Sequence, residues 1–346
     1  MTSEIRDINY YGLRGRALYC PFAETKKNSR KNPAPLRETK PAEILFVSGL
    51  HSSLERITGL VELLAGSGNV IAPDWPGGGG MDSLYNLKRN WKKTSRKDLQ
   101  NQFGDDTFPD IKTFATNRRH RRASFDNLAA YLKWFIEQNY RETFARGQKI
   151  NVVGMSLGFV LVLRMLQNFP EMRRHFHIVM SFVGFANRAD FRMKKRSRWG
   201  LVLATWIFEH RPLAWLMRVV WCNRPVLKLV YGHTNNQKFA NVDFAKTLDM
   251  EVKLWRENDV QTYCRMVWEM FLLHDSRKVD LPVYHVAMAD DRYFNNDQVQ
   301  KSLSRIFREV HIIWSQAENH APSVVATVRE ARNFMPDEVL GILGRK

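Results

Sequence analysis

One serine of the sequence stands in a setting that could make it a nucleophile. Residues 154–158 read Gly-Met-Ser-Leu-Gly, between an apolar run at 150–153 and a strongly apolar stretch at 159–169. A G-x-S-x-G pentapeptide between a strand and a helix is typical of a nucleophile elbow, a tight turn that holds the serine hydroxyl clear of the sheet. The flanking glycines carry no Cβ atom, so the strand and the helix can pass closely. The pattern predicts that Ser156 attacks an acyl carbon.

Such a serine needs a base to take its proton and an acid to orient that base. In an open α/β sheet these groups must follow the carboxyl ends of strands, because ligands bind there. Asp290 and Asp291 follow the apolar run at 281–289. We favour Asp291 over its neighbour, because its spacing from the strand is the one at which this kind of turn presents its acid. His320 follows the run at 309–314 and can serve as the base.

The oxyanion of an acyl-transfer reaction needs hydrogen-bond donors as well. Leu157 follows the serine at a predicted helix N-terminus, where backbone N–H groups lack intrahelical acceptors. A second donor is expected from the loop after the first parallel strand, which reads Ser48-Gly49-Leu50. We therefore predict that the backbone amides of Leu157 and Leu50 hold the oxyanion.

The elements that must position these residues follow from the apolar periodicity. Short apolar runs alternate with stretches in which apolar residues recur at helical spacing, and this alternation predicts a mostly parallel sheet with helices on both faces. Residues 8–21 are predicted as a β-hairpin. The predicted strands are 43–47, 69–72, 150–153, 177–183, 281–289 and 309–314, and the predicted helices are 54–65, 124–140, 159–169 and 323–334.

Two segments interrupt the alternation. Residues 77–122 begin with four glycines and continue as a long polar stretch with basic clusters, which is typical of a functional or partly disordered loop. Residues 184–280 are rich in tryptophan and helical in pattern, and we interpret them as a helical cap inserted over the carboxyl edge of the sheet. The predicted division is a core formed by 1–183 and 281–346, with the cap at 184–280.

These pieces together resemble the α/β-hydrolase superfamily, in its serine esterase or lipase-like branch with a helical cap. The resemblance rests on the segments FVSGLHSS, VIAPDWPGGG, INVVGMSLG, VAMADDRYF and ENHAPS, which occur in the family's order. It implies hydrolysis of a carboxylic ester with an apolar acyl part, through Ser156, Asp291 and His320, without metal or organic cofactor. One departure is Ser48-Gly49, where the family commonly has His-Gly. Epoxide hydrolases and dehalogenases of this family place a carboxylate at the elbow, where this chain has Ser156.

The composition is that of a globular protein with a strongly basic surface. The chain has 346 residues and a net charge of +18, which is compatible with nucleic acid, an anionic membrane or a basic exterior. Three widely spaced cysteines predict a reduced compartment without disulfides or a metal cluster. No signal-peptide pattern and no long uncharged apolar run is present. We expect a cytoplasmic protein that could associate with the membrane surface, and its oligomeric state does not follow from the sequence.

Two basic regions leave alternative interpretations open. Residues 194–221 join a basic cluster to several aromatic residues, which could pack the cap onto the core and line an acyl pocket or could lie at an anionic membrane interface. We favour the packing interpretation. The clusters within 77–122 come without a nucleic-acid-binding motif or an aromatic platform, so we favour a solvated surface over a nucleic-acid partner.

The leading functional prediction is therefore a carboxylesterase or lipase-like hydrolase that forms an acyl-enzyme. An acyltransferase or a thioesterase would use the same three side chains with another acceptor or leaving group. A member without catalytic activity, associated with membrane or nucleic acid, is the alternative from a different functional class.

Overall fold

The computed structural model of the chain describes residues 3–22, 41–87, 89–90, 122–234, 244–274, 276–289, 291–316, 325 and 327–344. The strands within these residues are β1 (Glu4–Tyr10), β2 (Leu13–Cys20), β3 (Ala42–Val47), β4 (Gly68–Pro73), β5 (Ile150–Met155), β6 (Phe176–Phe182), β7 (Val279–Met288) and β8 (Phe307–Ser315). The helices are α1 (Leu54–Leu64), α2 (Phe125–Asn139), α3 (Arg141–Ala145), α4 (Leu157–Asn168), α5 (Lys195–Phe208), α6 (Arg211–Val220), α7 (Arg224–Thr234), α8 (Phe244–Glu257), α9 (Val260–Leu272), α10 (Asn296–Ile306), α11 (Val328–Arg332) and α12 (Asp337–Leu343).

All of these strands lie in one sheet in the order β1-β2-β4-β3-β5-β6-β7-β8. The pairs β1–β2 and β2–β4 are antiparallel, and every other neighbouring pair is parallel. The predicted mostly parallel α/β sheet and the opening hairpin are confirmed. Because β3 to β8 run in the same direction, the loops that follow them meet at one edge of the sheet.

Helices cover both faces of this sheet, as the alternation predicts. In β3, Leu45 and Val47 enter one hydrophobic cluster, whereas Ile44 and Phe46 enter the other, because successive side chains of a strand point to opposite faces. The first cluster also contains buried side chains of α2, α4 and α10. The second contains those of α1, α11 and α12. The central strands are therefore buried on both sides and hold the loops at their ends in fixed positions.

The C-terminal part of the core differs from the prediction. Instead of one helix at 323–334, α11 begins after Thr327, which forms a capping box with Glu330, and it ends after five residues. The helix α12 follows it and was not predicted, and neither was α10 between β7 and β8. The apolar signal was present in α10, because its buried residues Val299, Leu303 and Ile306 recur at helical spacing among many polar ones.

The segment that begins with the four glycines is ordered as far as the structure describes it. Gly77, Gly79 and Gly80 all have positive φ angles, and a 3₁₀ turn at Leu84–Asn86 follows. Met81, Leu84 and Leu87 are buried in the first hydrophobic cluster. The expected loop is therefore present at 77–83, with a short 3₁₀ turn after it, and residues 91–121 lie outside the described part of the chain.

The segment between β6 and β7 folds as the helices α5 to α9. Helices α5 and α6 lie side by side against α9. The favoured prediction that the aromatic residues of this segment pack onto the core is wrong for four of them, because each is about half exposed or more: Trp199 (53%), Trp206 (49%), Trp215 (66%) and Trp221 (52%). None of the helices that the structure describes combines the length and the apolar character needed to cross a membrane.

Candidate active site

Ser156 occupies the turn between β5 and α4 in a backbone conformation that is rare for a residue with a side chain. Its φ is 51° and its ψ is −117°. Non-glycine residues held in such regions store roughly 1–3 kcal/mol of strain, which the surrounding structure must compensate. The Ser156 amide donates to the Phe182 carbonyl on β6 at 2.8 Å, and this hydrogen bond fixes the turn. The side chain is half-buried rather than enclosed.

The two flanking glycines permit a close crossing of strand and helix. A Cβ atom on Gly154 would lie 2.5 Å from Cα of Phe159, in the first turn of α4. A Cβ atom on Gly158 would lie 2.2 Å from the Val47 carbonyl oxygen at the end of β3. Both distances are far below van der Waals contact, so the predicted role of these glycines is confirmed.

The loop after β3 lies directly against the serine. A Cβ atom built on Gly49 would be 3.3 Å from Cβ of Ser156 and 3.2 Å from the Met155 carbonyl oxygen. Leu50 is the next residue of this loop, and Leu157 is the first residue of α4. The structure thus places both predicted amide-bearing segments beside the turn, whereas the assignment of their two amides to an oxyanion remains a prediction.

Asp291 follows β7 with its carboxylate buried. Asp291 is only 2% exposed. Its Oδ1 atom accepts hydrogen bonds from the backbone N–H groups of Tyr293 at 2.8 Å and Phe294 at 3.0 Å. Ser156 and Asp291 therefore stand beyond the carboxyl ends of β5 and β7, with β6 between them. The rival Asp290 and the predicted base His320 lie outside the described residues, so the triad itself stays a prediction.

Solved structures share this arrangement of strands and helices. The epoxide hydrolase CorEH superposes with a TM-score of 0.60 at 10% identity, over 99% of this chain and 97% of that chain. A variant of the N-acyl homoserine lactonase AidH with bound N-hexanoyl homoserine lactone gives 0.54 at 17% identity, over 99% and 96%. A structure from work on carboxylesterases of the thaumarchaeon Nitrososphaera gargenis gives 0.55 at 10%, over 98% and 96%. The chain has the α/β-hydrolase fold.

At these identities the likeness concerns the fold alone. No protein-family model matches the chain, and no curated protein matches it by sequence. The activity therefore depends on the side chains that this α/β-hydrolase fold brings to the edge of its sheet.

A buried histidine that sequence reasoning missed lies under this edge of the α/β-hydrolase sheet. His285 on β7 pairs in register with Ser181 on β6, and its Nδ1 atom is 2.9 Å from the Ser181 Oγ atom. Burial lowers the pKa of His285 to about 4, and the negative charge of Asp291 opposes this shift without cancelling it. The imidazole is therefore neutral at pH 7. No motif signals this pair, because a histidine inside a strand is indistinguishable by pattern from a satisfied core residue.

Helices α8 and α9, which lie between β6 and β7 in the sequence, touch the loop beside Ser156 through His51. The His51 Nε2 atom lies 3.1 Å from a Glu251 carboxylate oxygen on α8. Its ring contacts those of Trp255 and Tyr263, with centroids 4.5 and 5.5 Å away. Burial lowers the pKa of His51, and Glu251 acts in the opposite direction. Because 200 residues separate His51 from this carboxylate in the sequence, its partner could not be predicted.

Asp74 follows β4 and is the buried member of a charge cluster with Arg16 and Glu55. One carboxylate oxygen is 3.4 Å from Nε of Arg16, and Arg16 also pairs with Glu55 at 3.0 Å. Burial raises the pKa of Asp74 to about 8, although the positive charge of Arg16 lowers it. A Cβ atom on Gly79 would lie 1.9 Å from the Asp74 Oδ1 atom, so the carboxyl group packs directly against the glycine loop.

Proposed function

We propose that the protein is a serine hydrolase that cleaves carboxylic esters with Ser156 as the nucleophile. The observation that carries the proposal is the backbone of Ser156, which holds a non-glycine residue at φ 51° in the tight turn between β5 and α4. Strain of this kind persists where a side chain must be presented in one orientation. The glycines at 154 and 158 and the adjoining loop after β3 make the turn possible and leave its side chain half-buried.

In the proposed mechanism, the Ser156 Oγ atom attacks the acyl carbonyl while His320 takes the hydroxyl proton. Asp291 orients the imidazole and stabilises its protonated form. The alkoxide leaves with the proton from His320, and water activated by the same histidine then hydrolyses the acyl-enzyme. The backbone amides of Leu157 and Leu50 stabilise the oxyanion in both steps.

The setting of Asp291 supports its role as the orienting acid. Two backbone N–H groups donate to its Oδ1 atom and restrain the carboxylate in the turn after β7. Since neighbouring strands lie about 4.8 Å apart, β5 and β7 are separated by about 10 Å, and one imidazole can bridge the two side chains. Because β8 adjoins β7, the proposed base belongs to the loop that follows the strand next to the one before Asp291.

The aromatic side chains that face the loop after β3 support the proposed substrate class. Trp255 and Tyr263 pack around His51 there, so the helices contribute aromatic surface beside the proposed oxyanion site. We assign residues 184–280 as a cap domain that supplies part of an apolar acyl pocket, between core parts 1–183 and 281–346. A lactone is a cyclic carboxylic ester, and AidH is a lactonase of the same fold, so both open and cyclic esters belong to the proposed class.

Steady-state kinetics with a p-nitrophenyl ester series and an acyl lactone tests the proposal. Ser156→Ala should lower kcat by about 10⁴-fold or more, because removal of a triad nucleophile leaves only binding and oxyanion stabilisation. Ser304→Ala, on the exposed face of α10, is the matched control and should keep wild-type turnover. Full activity of a folded Ser156→Ala protein would refute the assignment.

The same assay separates the alternatives that the sequence left open. Product analysis with and without added alcohol or CoA acceptors distinguishes a hydrolase from an acyltransferase, and acyl-CoA substrates reveal a thioesterase. A folded wild-type protein without turnover on any of these substrates would favour a member without catalytic activity.

A further inference from the structure

The helix pair α5–α6, with Trp221 directly after it, carries most of the large hydrophobic side chains that are exposed in the described part of the chain. Eleven of the sixteen large hydrophobic side chains that are exposed among the described residues lie between positions 199 and 221. We call them the α5–α6 apolar surface, and they are Trp199, Leu201, Leu203, Trp206, Ile207, Leu213, Trp215, Leu216, Val219, Val220 and Trp221. Such a concentration of exposed apolar side chains in one pair of packed helices is typical of an interaction site.

The distribution of residues around α5 shows that the apolar side chains of this surface face outward. In α5 the outer stripe Trp199, Leu203 and Trp206 recurs at helical spacing, whereas the inner side carries the buried polar residues Thr205 and, just past its end, Glu209. A water-exposed helix normally turns its apolar stripe to the protein and its charges to the solvent. In α5 only Val202 and Thr205 are buried, and the tryptophan stripe is exposed along with Lys195 and Arg196, so this stripe is available to a partner.

Polar contacts on the inner side hold the helices in this orientation. The Glu209 carboxylate accepts a hydrogen bond from the Tyr85 hydroxyl at 2.9 Å and from Arg122 at 3.1 Å, and it lies 3.5 Å from a guanidinium nitrogen of Arg265 on α9. Rotation of α5 to bury its tryptophans would remove this carboxylate from three partners. Leaving such groups buried without partners costs several kcal/mol, on the order of 3–5 for one broken buried ion pair.

The charges around the surface limit the chemistry of the partner. Residues 191–229 contain nine lysine and arginine residues and a single acidic residue, the buried Glu209. Lys194, Lys195 and Arg196 are exposed at the start of α5. A second copy of this chain, with its own net charge of +18, would bring like charges together. Nucleic acid would match the charge, but it offers little apolar volume for eleven large side chains.

We propose that the α5–α6 apolar surface docks on an anionic lipid membrane, with both helices lying in the plane of the interface. Lipid headgroups supply the negative charge, and the acyl boundary accepts the tryptophans and leucines. The helices have 14 and 10 residues, so they extend about 21 and 15 Å, shorter than the roughly 30 Å hydrocarbon core. This interaction is independent of the proposed ester hydrolysis.

Vesicle flotation with the full chain tests the proposal directly. We expect binding to phosphatidylcholine vesicles that contain phosphatidylglycerol, weak binding to phosphatidylcholine alone, and loss of binding as salt is raised. The combined variant Lys195→Glu and Arg196→Glu should bind roughly 25-fold more weakly or worse, since each basic residue near an anionic surface contributes about a fivefold factor. The matched control Lys301→Glu and Arg305→Glu, exposed on α10, changes the net charge equally and should bind like the wild type.

A second pair of variants tests the apolar contribution. Trp206→Ala should weaken binding by at least about tenfold, whereas Trp314→Ala, which removes a tryptophan of similar exposure (57%) from β8, should leave it unchanged. Ser156→Ala should bind like the wild type, so failure of docking and failure of the proposed catalysis are distinguishable. Quenching of wild-type tryptophan fluorescence by brominated anionic lipids repeats the test without a variant.

Three results would overturn the proposal. Wild-type protein that neither floats with anionic vesicles nor is quenched by brominated lipids would exclude membrane docking. Equal vesicle binding by Trp206→Ala and the wild type would show that the α5–α6 apolar surface does not contact the membrane. A dimer in analytical ultracentrifugation that Trp206→Ala abolishes, without vesicle binding by the wild type, would assign the surface to a second copy of the chain.

Discussion

The helix behind Ser156 and the helix α5 are both rich in apolar residues, yet the protein uses them in opposite ways. In α4, ten of twelve residues are buried, and the helix passes so close to β3 that Gly158 has no room for a Cβ atom. In α5, two of fourteen residues are buried, and a Cβ atom added to Gly200 would meet no neighbouring atom within 4 Å. Apolar content therefore does not by itself decide whether a helix enters the core.

The difference arises from what lies opposite each helix. The sheet presents an apolar face to α4, and the strained turn at Ser156 joins the helix to β5 with no freedom to rotate. On the inner side of α5 the neighbours are Tyr85, Arg122 and Arg265, which match Glu209 and leave the tryptophans outside. One region is held by close packing, and the other leaves its apolar side chains exposed.

Adding one methyl group to each helix should change the free energy of unfolding in opposite directions. Gly158→Ala should lower the free energy of unfolding by about 3 kcal/mol, because its Cβ atom would overlap the Val47 and Ser48 carbonyl oxygens and the backbone must shift. Gly200→Ala meets open space and should raise the free energy of unfolding by up to about 1 kcal/mol through helix propensity. Urea titration of both variants measures the two changes, and equal shifts would contradict the close packing of α4.

A smaller effect, dependent on pH, is expected from the buried His285. Its pKa is about 4 in the folded protein and about 6.5 when unfolded, so between these values the unfolded chain binds more protons. The stabilising contribution is complete above about pH 6.5 and is lost as pH falls towards about 4. At pH 5 the loss should be about 2 kcal/mol relative to pH 7.

His285→Asn is the variant that isolates this contribution, because its side-chain amide can still bond the Ser181 hydroxyl but does not titrate. The difference in unfolding free energy between the wild type and this variant should change by the stated amount from pH 7 to pH 5. A constant difference across that range would show that the imidazole is not held neutral.

The smallest effect concerns two neighbouring residues of α5. Val202 is 7% exposed on the inner side and Leu203 is 57% exposed on the outer side. Val202→Ala should cost about 1.5 kcal/mol, since it removes two buried methyl groups, whereas Leu203→Ala should change the free energy of unfolding by less than about 0.5 kcal/mol. Thermal and urea unfolding measure both, and a larger cost for Leu203→Ala would mean that the outer side is packed.

Local patterns predicted most of the sheet. The run at 150–153 became β5 at Ile150–Met155, and the apolar stretch after Ser156 became α4. The predicted helix at 124–140 is α2, and Ser124 caps it because its side chain accepts a hydrogen bond from the Asn127 amide. Such features depend on residues a few positions apart, and they can therefore be predicted from the sequence.

Features that depend on distant parts of the chain were missed. The contact between His51 and Glu251 joins residues about 200 positions apart, and the Ser181–His285 pair depends on strand register. The orientation of α5 could not be predicted. The apolar periodicity of a helix shows which residues share a face, but it does not show whether that face turns towards the core. For the candidate site, Ser156 and Asp291 stand at the predicted strand ends, whereas the base remains a prediction from the sequence.

Covalent labelling tests whether Ser156 is the nucleophile. The folded wild-type protein is treated with a fluorophosphonate probe, and the modified residue is located by peptide mapping with mass spectrometry. We expect one adduct per chain, on Ser156, that is absent from Ser156→Ala and from heat-unfolded protein. An unlabelled wild-type protein that turns over esters, or an adduct on a different serine, would contradict the assignment of Ser156.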